Sequence, residues 1–173
     1  MVTARTGSLF DNLEQLGSGN SYVVEITDML ERSDMFRDFN RQDVESFAYY
    51  FQAYAAPKGV MVLEEGRRDS YMFVIASGKL DIFKNSNDSD EKKIATVRAG
   101  KTIGEMSILD GMNHSATAVV VEPAVLLLLT KSKFEQFMQS EPEVALKVLR
   151  KMAQLMSLRL RQTSGMLIDH LPK

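Results

Sequence analysis

The sequence predicts a mainly β protein with flanking helices: a jelly-roll-type antiparallel β-barrel followed by a long C-terminal helix. Three observations support this class. Across residues 53–130, short runs of β-branched and aromatic residues alternate with glycine-containing turns. On both sides of this region, apolar residues recur instead at the helical spacing of three and four. Short strands so closely spaced favour a barrel, because closure of the sheet protects its edges.

Six runs in this region are predicted as strands, because each is rich in β-branched or aromatic residues and ends at a turn signal. The pair Ser77-Gly78 is the clearest of these signals and predicts a β-hairpin. Residues 85–93 resemble a calcium loop in composition but lack its glycine and distal glutamate, so they are interpreted as a solvated hairpin tip. The complete barrel is expected to have eight strands. The six runs are residues 60–63, 71–76, 79–84, 93–97, 117–121 and 124–129.

Two amphipathic helices are predicted before the barrel, near residues 23–35 and 44–51. Residues 1–20, rich in Gly, Ser, Asn and Thr, are predicted to form a mobile leader ahead of them. Apolar stripes at helical spacing usually face a hydrophobic core, and both stripes are interpreted in that way. Their members are Val23, Ile26, Leu30 and Met35 in the first segment, then Val44, Phe47, Ala48 and Phe51 in the second.

Two more helices are predicted after the barrel, the first over residues 133–140. Ser140 and Glu143 fit the capping-box spacing, so a long helix is predicted over residues 141–164, with a length of about 35 Å. Gly165 is its expected C-cap. The predicted organisation is a leader over residues 1–20, helices and barrel over 21–140, the long helix over 141–165 and a tail over 166–173.

The long helix carries more apolar residues than one partner surface can cover. They stand at positions 145, 148, 149, 152, 155, 156 and 158. One side is expected to pack on the barrel while Leu149, Met152 and Met156 face a second copy of the chain, which predicts a homodimer. The alternative is a monomer in which this helix is a broadly buried core helix.

Composition excludes several functional classes. The 173 residues carry a formal net charge of −2, with a pI of about 5.7, which argues against a nucleic-acid-binding surface. The absence of cysteine excludes disulfides, thiol catalysis and thiolate metal sites. No signal-peptide pattern and no apolar run of about 20 residues occurs, so a cytoplasmic protein without membrane contact is predicted.

Catalytic and metal-binding patterns are weak. His114 and His170 are too distant in sequence to suggest a metal pair. Glu64 and Glu65 are adjacent, and neighbouring strand residues point to opposite faces, so they are poorly placed to act as an acid–base pair. No nucleotide-binding glycine loop or nucleophile elbow is present. We therefore predict that the chain is not an enzyme and holds no metal or cofactor.

One segment has the pattern of a ligand site. Residues 100–117 read as a strand, a Gly-Glu step, one short helical turn and a returning strand. Backbone N–H groups at the start of such a turn can cradle an anion. Gly104 would let a ligand approach the backbone, and Glu105 offers an acceptor for sugar hydroxyls. The alternative is a barrel corner that needs a glycine beside a surface glutamate.

Here the sequence resembles the cyclic nucleotide-binding domain family, and especially the effector domains of catabolite activator protein-like regulators. The family's phosphate-binding cassette runs Phe-Gly-Glu-x-Ala-Leu and, a few residues later, Pro-Arg-x-Ala-Thr. This chain reads IGEMSIL and then NHSAT in the same register. The resemblance covers about residues 25–165, and five glycines fall where the family places barrel turns. They are Gly59, Gly66, Gly78, Gly100 and Gly111.

The resemblance implies a ligand, cyclic AMP or another cyclic nucleotide, and a set of contacts. Glu105 would hold the ribose 2′-hydroxyl. The sequence LRQTS near the end of the long helix resembles the segment with which catabolite activators contact adenine, the serine reaching across a dimer. The implied ligand-binding residues are Gly104, Glu105, Met106, Ser107, His114 and Ser115 around the phosphate and sugar, with Thr163 and Ser164 at the base.

Two departures from the family are informative. His114 stands where the family has an arginine, and Asn113 replaces the preceding proline. An arginine is permanently charged and bidentate, whereas an imidazole of ordinary pKa is partly charged at neutral pH, so binding is expected to weaken about ten- to a hundredfold. The eight residues that follow Gly165 are too few for a DNA-binding domain.

The sequence therefore predicts a stand-alone sensor that binds a cyclic nucleotide or a related phosphorylated ligand. Its signal would pass through the long helix and the dimer surface to a downstream protein whose identity the sequence does not specify. The alternative is a degenerate domain that binds no nucleotide and serves as a scaffold for dimerisation or protein interaction. The histidine at position 114 is the chief support for that alternative.

Overall fold

A computed structural model describes the backbone of residues 9–86 and 90–169, with side chains up to residue 165. Within that part of the chain, seven strands and five α-helices are present. The strands are β1 (Glu14–Ser18), β2 (Gln52–Ala56), β3 (Met61–Leu63), β4 (Tyr71–Asn85), β5 (Glu91–Arg98), β6 (Thr102–Ile103) and β7 (Thr117–Thr130). The helices are α1 (Val23–Glu31), α2 (Arg41–Ala48), α3 (Glu105–Asp110), α4 (Lys131–Ser140) and α5 (Pro142–Asp169).

The strands form one antiparallel sheet in the order β1-β2-β7-β4-β5, with β3 also paired to β7 and β6 to β4. This agrees with the predicted class, mainly antiparallel β with flanking helices. The six predicted runs correspond to four strands, because β4 and β7 each contain two of them. Strands β1, β2 and β6 were not predicted. The sequences of β1 and β2, EQLGS and QAYAA, contain no β-branched residue, and β6 is only two residues long.

The hairpin predicted at Ser77-Gly78 is wrong. Ser77 pairs with Val125 and, two residues later, Lys79 pairs with Glu122 on the same partner strand, so β4 bends and continues. Gly78 has φ of 88°, and a Cβ there would lie 2.5 Å from the carbonyl oxygen of Pro123. Glycine is required at this position because the bend of β4 packs directly against the bend of β7 and leaves no room for a side chain. The chain reverses instead between β4 and β5, and residues 87–89 of that predicted tip lie outside the described residues.

The apolar side chains form two clusters, one on each side of the sheet. The first fills the space between the sheet and the helices, and it contains every member of both predicted helical stripes. The second fills the barrel interior. Residues of β4 alternate between them, since Met72 and Val74 belong to the helical cluster while Tyr71 and Phe73 line the barrel. The site described below lies where the barrel interior meets helix α3.

Part of the predicted leader is ordered. Residues Leu9–Asn12 form a 3-10 turn and β1 pairs with β2. The Phe10 ring contacts Tyr71 with ring centroids 5.0 Å apart and a 64° angle between the planes. Polar composition suggested mobility, but one aromatic anchor and a strand added to the sheet edge fix this segment. Residues 1–8 lie outside the described part of the chain.

Helix α5 differs from its prediction at both ends. It begins at Pro142, and Ser140 is the last residue of α4, so the predicted N-cap at Ser140 is wrong. It also passes through Gly165 to Asp169, since Gly165 does not adopt the positive φ of a C-cap. Its 28 residues span about 42 Å at 1.5 Å each. Residues 166–169 of the predicted tail are thus helical, and residues 170–173, with His170, lie outside the described residues.

Met152 does not face outward as the sequence suggested. It is 2% exposed and packs in the helical core cluster with Ala145 and Val148. Leu149 and Met156, the other two residues predicted to face a second copy, are partly exposed. Within the described residues, no helix is long and apolar enough to cross a membrane.

Candidate functional site

The site is built around residues 104–117, which we call the cassette. Strand β6 leads into it, paired to β4 through Phe73 and Ile103. Gly104 then turns the chain into α3 with φ of 79°. A Cβ at Gly104 would lie 2.7 Å from the Tyr71 carbonyl oxygen, so only glycine fits between α3 and β4. The predicted sequence of strand, Gly-Glu step, short helix and returning strand is what the structure contains.

Glu105, the first residue of α3, is a buried carboxylate with one free oxygen. Its side chain is 8% exposed, and Oε1 forms an ion pair with Arg159 of α5. Oε2 is buried and has no hydrogen-bond partner among the described residues. Burial raises the pKa of Glu105, and the charge of Arg159 opposes that rise. Oε2 is therefore an acceptor available to a hydroxyl group that enters the site.

Arg159 is a site residue that the sequence analysis missed. Its Nη1 donates to Glu105, while Nη2 donates to the carbonyl oxygen of Thr102 at 2.7 Å and to its Oγ1 at 3.0 Å. Arg159 thus binds α5 to both β6 and α3. A signal for it exists in the sequence, since it stands seven residues after the buried Met152 and continues the core-facing stripe of α5.

Ser107 holds α3 in place. Its Oγ lies 2.9 Å from the Gly104 carbonyl oxygen and 3.3 Å from the Tyr71 carbonyl oxygen, and the residue is 1% exposed. Its single hydroxyl proton is committed to these backbone acceptors. We therefore interpret Ser107 as a residue that positions α3 on β4, in place of the ligand contact expected from the resemblance.

His114 is buried and its ring is held firmly. The residue is 3% exposed, and its ring meets that of Tyr71 edge-on, with centroids 4.7 Å apart. Its carbonyl oxygen accepts from Gly66 N at 2.9 Å, and its N–H donates to the Arg67 carbonyl oxygen at 3.2 Å. Nε2 has no hydrogen-bond partner in the described part of the chain.

The charge expected on His114 needs correction. Burial lowers the pKa of its imidazole below the ordinary value of 6.5, and the carboxylate of Asp69 only partly opposes this. Without a ligand the structure therefore favours the neutral ring, where the sequence analysis expected partial charge at neutral pH. In this form it offers one donor or one acceptor at Nε2, but no cation for a phosphate.

Met106 and Ser115 lie at the open side of the cassette. Both are exposed, and the Ser115 Oγ lies 3.9 Å from the Met106 sulfur, a weak contact. The Ser115 carbonyl oxygen accepts a 2.6 Å hydrogen bond from Lys84 at the end of β4. Lys84 was also missed by the sequence analysis, because nothing in its local sequence connects it with a residue 31 positions further along the chain.

Thr163 and Ser164 are exposed residues of α5, beyond Arg159. The Thr163 hydroxyl donates to the Arg159 carbonyl oxygen at 3.0 Å, a bond within the helix. At 100° per residue, Thr163 is displaced about 40° from Arg159 around the helix and Ser164 about 140°. Thr163 thus lies near the face of α5 that contacts the cassette, and Ser164 lies well away from it.

The arrangement is suited to binding a polyhydroxylated anion. It combines a buried acceptor at Glu105 with the exposed hydroxyl group of Ser115. Within residues 9–86 and 90–169, no group of three or more His, Cys, Asp or Glu residues could hold a metal ion.

Sequence comparison assigns this architecture to a class. Residues 55–141, half of the chain, match the cyclic nucleotide-binding domain family, and the match contains the whole cassette. The chain therefore belongs to the cyclic nucleotide-binding domain family, and the predicted jelly-roll-type fold and the resemblance are confirmed.

Particular relatives sharpen this assignment. A solved cyclic nucleotide-binding domain from Methylobacillus flagellatus superposes with a TM-score of 0.85 at 30% identity, covering 97% of this chain and 94% of the other. The catabolite activator protein of Thermus thermophilus superposes with a TM-score of 0.69 at 30% identity, over 78% of this chain and 62% of the other.

Curated relatives extend beyond the matched region. The cyclic AMP receptor protein of Thermus thermophilus is 30% identical over 133 residues, which is 77% of this chain but 60% of the relative. A cGMP-dependent protein kinase of Plasmodium berghei is 30% identical over 111 residues, 64% of this chain and 12% of the kinase. The chain thus spans only part of the length of these proteins.

Proposed function

We propose that this domain is a non-enzymatic cytoplasmic sensor that binds a cyclic nucleotide, with cyclic AMP the first candidate, and signals through α5. One observation carries the proposal. Glu105 Oε2 and His114 Nε2 are two of the three buried polar side-chain atoms that have no partner within the described residues, and both belong to the cassette. Unpaired buried polar atoms cost stability, so their concentration here supports a site that a ligand completes.

The contacts follow from these positions. Glu105 Oε2 accepts the ribose 2′-hydroxyl. Gly104 and Met106 contribute backbone N–H groups near the phosphate, together with the exposed Ser115. His114, neutral and buried, contributes at most one neutral hydrogen bond from Nε2, which is weaker than the bidentate contact of an arginine.

Signal transmission depends on the carboxylate that α5 and the ligand share. Arg159 contacts Glu105 Oε1 while the ligand hydroxyl contacts Oε2. Ligand binding therefore gives Glu105 a second partner, and Glu105 is the carboxylate through which Arg159 holds the C-terminal part of α5. This shifts the population between two positions of that helix. Thr163 of one chain and Ser164 of its dimer partner, which follow Arg159 on α5, then contact the base.

A homodimer fits the exposed apolar face of α5. Leu146 and Leu160 are 69% and 68% exposed. They belong to a series with heptad spacing, which is the pattern of a two-helix seam. This seam retains Leu149 and Met156 from the sequence-based prediction and excludes the buried Met152. The series comprises Leu146, Leu149, Ala153, Met156, Leu160 and Thr163.

The second candidate function is the scaffold that binds no nucleotide and signals to a downstream protein only through its surfaces. The burial of His114 against Tyr71 favours it, because an uncharged, packed ring replaces the family's principal phosphate contact. The two candidates make opposite predictions for ligand titration.

Isothermal titration with cyclic AMP at pH 6.5, with cyclic GMP for comparison, tests the proposal. We expect saturable micromolar binding that weakens about ten- to a hundredfold in Glu105→Gln, since one charged hydrogen bond is lost. Glu122→Gln is the matched control, because Glu122 is exposed and pairs with Lys79, and neither residue belongs to the cassette. Absence of binding up to millimolar ligand would establish the scaffold instead.

A further inference from the structure

The cassette lacks a charged donor at position 114, although a cyclic phosphate carries a negative charge. His114 is 3% exposed and packed on Tyr71, so in the absence of a ligand a charge on its ring is buried without a partner. A phosphate that gives up water needs a cation or several strong donors in exchange. A basic side chain elsewhere at the cassette would supply that charge in addition to the backbone donors.

Besides Lys131, which lies beside Gly111 at the C-terminal end of α3, three basic side chains lie close to the cassette. Arg67 is paired with both Asp69 and Glu64. Arg159 is bound by Glu105 and Thr102. The third is Lys84, whose Nζ contacts the cassette backbone directly through the Ser115 carbonyl oxygen at 2.6 Å.

Lys84 stands on the barrel-facing side of β4. Leu80 and Ile82 pack in the barrel interior, and alternate residues of a strand share a face, so Lys84 continues this row. Because Phe83 is paired with Thr117, Lys84 reaches the barrel opening beside the end of the cassette. The position combines a half-exposed ammonium group with direct contact to a residue of the site.

The local contacts leave Lys84 with one donor to offer. An ammonium has three N–H groups; one bonds to Ser115, and a second reaches Glu65 Oε1 at 3.1 Å. Glu65 is fixed in turn by the Asn85 N–H at 2.8 Å, so it holds the lysine in position. We propose that Lys84 supplies the positive charge that binds the ligand's cyclic phosphate, a role that rests on the proposed function.

The experiment compares two ligands that differ in the phosphate. Cyclic AMP and adenosine are titrated into the wild type, Lys84→Met, Lys84→Gln and Lys84→Arg. We expect the two neutral variants to lose about ten- to a hundredfold in affinity for cyclic AMP, and less than about twofold for adenosine. Lys84→Arg, which retains the charge, restores most of the affinity for cyclic AMP.

Lys93→Met is the matched control. Lys93 pairs with Phe83 on the neighbouring strand and contacts Asp81, on the other face of the same two strands, and its loss removes the same charge. Its affinity for cyclic AMP should equal that of the wild type. If the neutral variants lose equal affinity for cyclic AMP and adenosine, or lose none for either, the role of Lys84 is overturned. The proposed function still stands in that case, provided that the wild type binds cyclic AMP. A wild type that does not bind cyclic AMP would overturn both.

Discussion

The two halves of helix α5 are attached to the protein in different ways. In the first half, Ala145, Val148 and Met152 are at most 2% exposed, and Lys147 and Lys151 form ion pairs with acidic residues at the N-terminal helices. In the second half, Leu158 and Leu160 are 52% and 68% exposed. Among its described side chains, Arg159 makes the hydrogen bonds that reach β6 and α3.

The two halves of this continuous helix therefore differ in role: the first stabilises the fold, and the second is the part that would respond to a ligand in the proposed function. Apolar packing is spread over many contacts, and disrupting it costs much of the total stability of a domain. A contact made by one arginine can open at a cost that a ligand is able to supply. The first half is thus part of the folded core, and in the proposed function the second half would change position with the state of Glu105.

The largest expected effect lies in the first half. Met152→Ala removes a side chain buried between α5 and the helical core and leaves a cavity, which should lower the free energy of unfolding by about 2–5 kcal/mol. Denaturant titration at equilibrium measures it. Leu158→Ala, in the exposed half, should change stability by less than about 0.5 kcal/mol. Similar losses in both variants would contradict the division of α5.

An intermediate effect is expected at Arg159. Arg159→Gln leaves the Glu105 carboxylate buried without its cation, which should cost about 1–3 kcal/mol at pH 7, less than for a fully buried pair because Arg159 is 42% exposed. Burial raises the pKa of Glu105 above 4.5, so the folded state favours the protonated form. The loss should therefore grow as pH rises from 4.5 to 8 and fade below 4.5.

Unfolding curves across this pH range test the origin of that loss. The double variant Glu105→Gln with Arg159→Gln carries no buried carboxylate and should show a flatter pH profile than Arg159→Gln alone. A loss in Arg159→Gln that is the same at pH 4.5 and pH 7.5 would mean that packing of the arginine, and not its charge, holds the second half of α5.

The smallest effect on stability is expected at Leu160. Leu160→Glu places a charge at an exposed position and should change the unfolding free energy of the monomer by less than about 0.5 kcal/mol. It should nevertheless abolish the proposed dimer, measured by sedimentation equilibrium, because the position lies at the seam. Leu158→Glu, on the opposite side of α5 by helical spacing, is the control and should leave the association unchanged. Equal behaviour of the two variants would exclude the seam.

The sequence predicted well those features that depend on local pattern. The helical stripes, the barrel class and the Gly-Glu step of the cassette are all encoded by residues close together in the chain. The bend at Ser77-Gly78 was misread as a chain reversal, because a Ser-Gly pair is compatible with either a bend or a hairpin turn. Which of the two forms depends on Pro123, in a strand distant in sequence. The exposure of Met152 was misjudged for a related reason, since the apolar residues of α5 cover more than one face of the helix.

The site was predicted only where one segment supplies it. Glu105 and His114 were identified from the cassette itself, whereas Arg159 and Lys84 come from elements 54 and 31 residues away from their contacts. Their roles arise from the pairing of β4 with β7 and from the docking of α5. The burial that lowers the pKa of His114 likewise depends on Tyr71, a residue distant in sequence, and not on the residues beside the histidine.

The matched bends of β4 and β7 have a mechanical consequence. Gly78 of β4 packs against Pro123 of β7. If one strand slid along the other, its bend would face a straight segment of the partner strand, so the register of the two strands is fixed at this point. Together with the continuous ladder on both sides of the bend, this makes the barrel a stiff frame that resists shear. In the proposed function, motion caused by a ligand would then be confined to α3 and the second half of α5, and a small displacement at the cassette would reach the end of a helix about 42 Å long without being absorbed by the sheet.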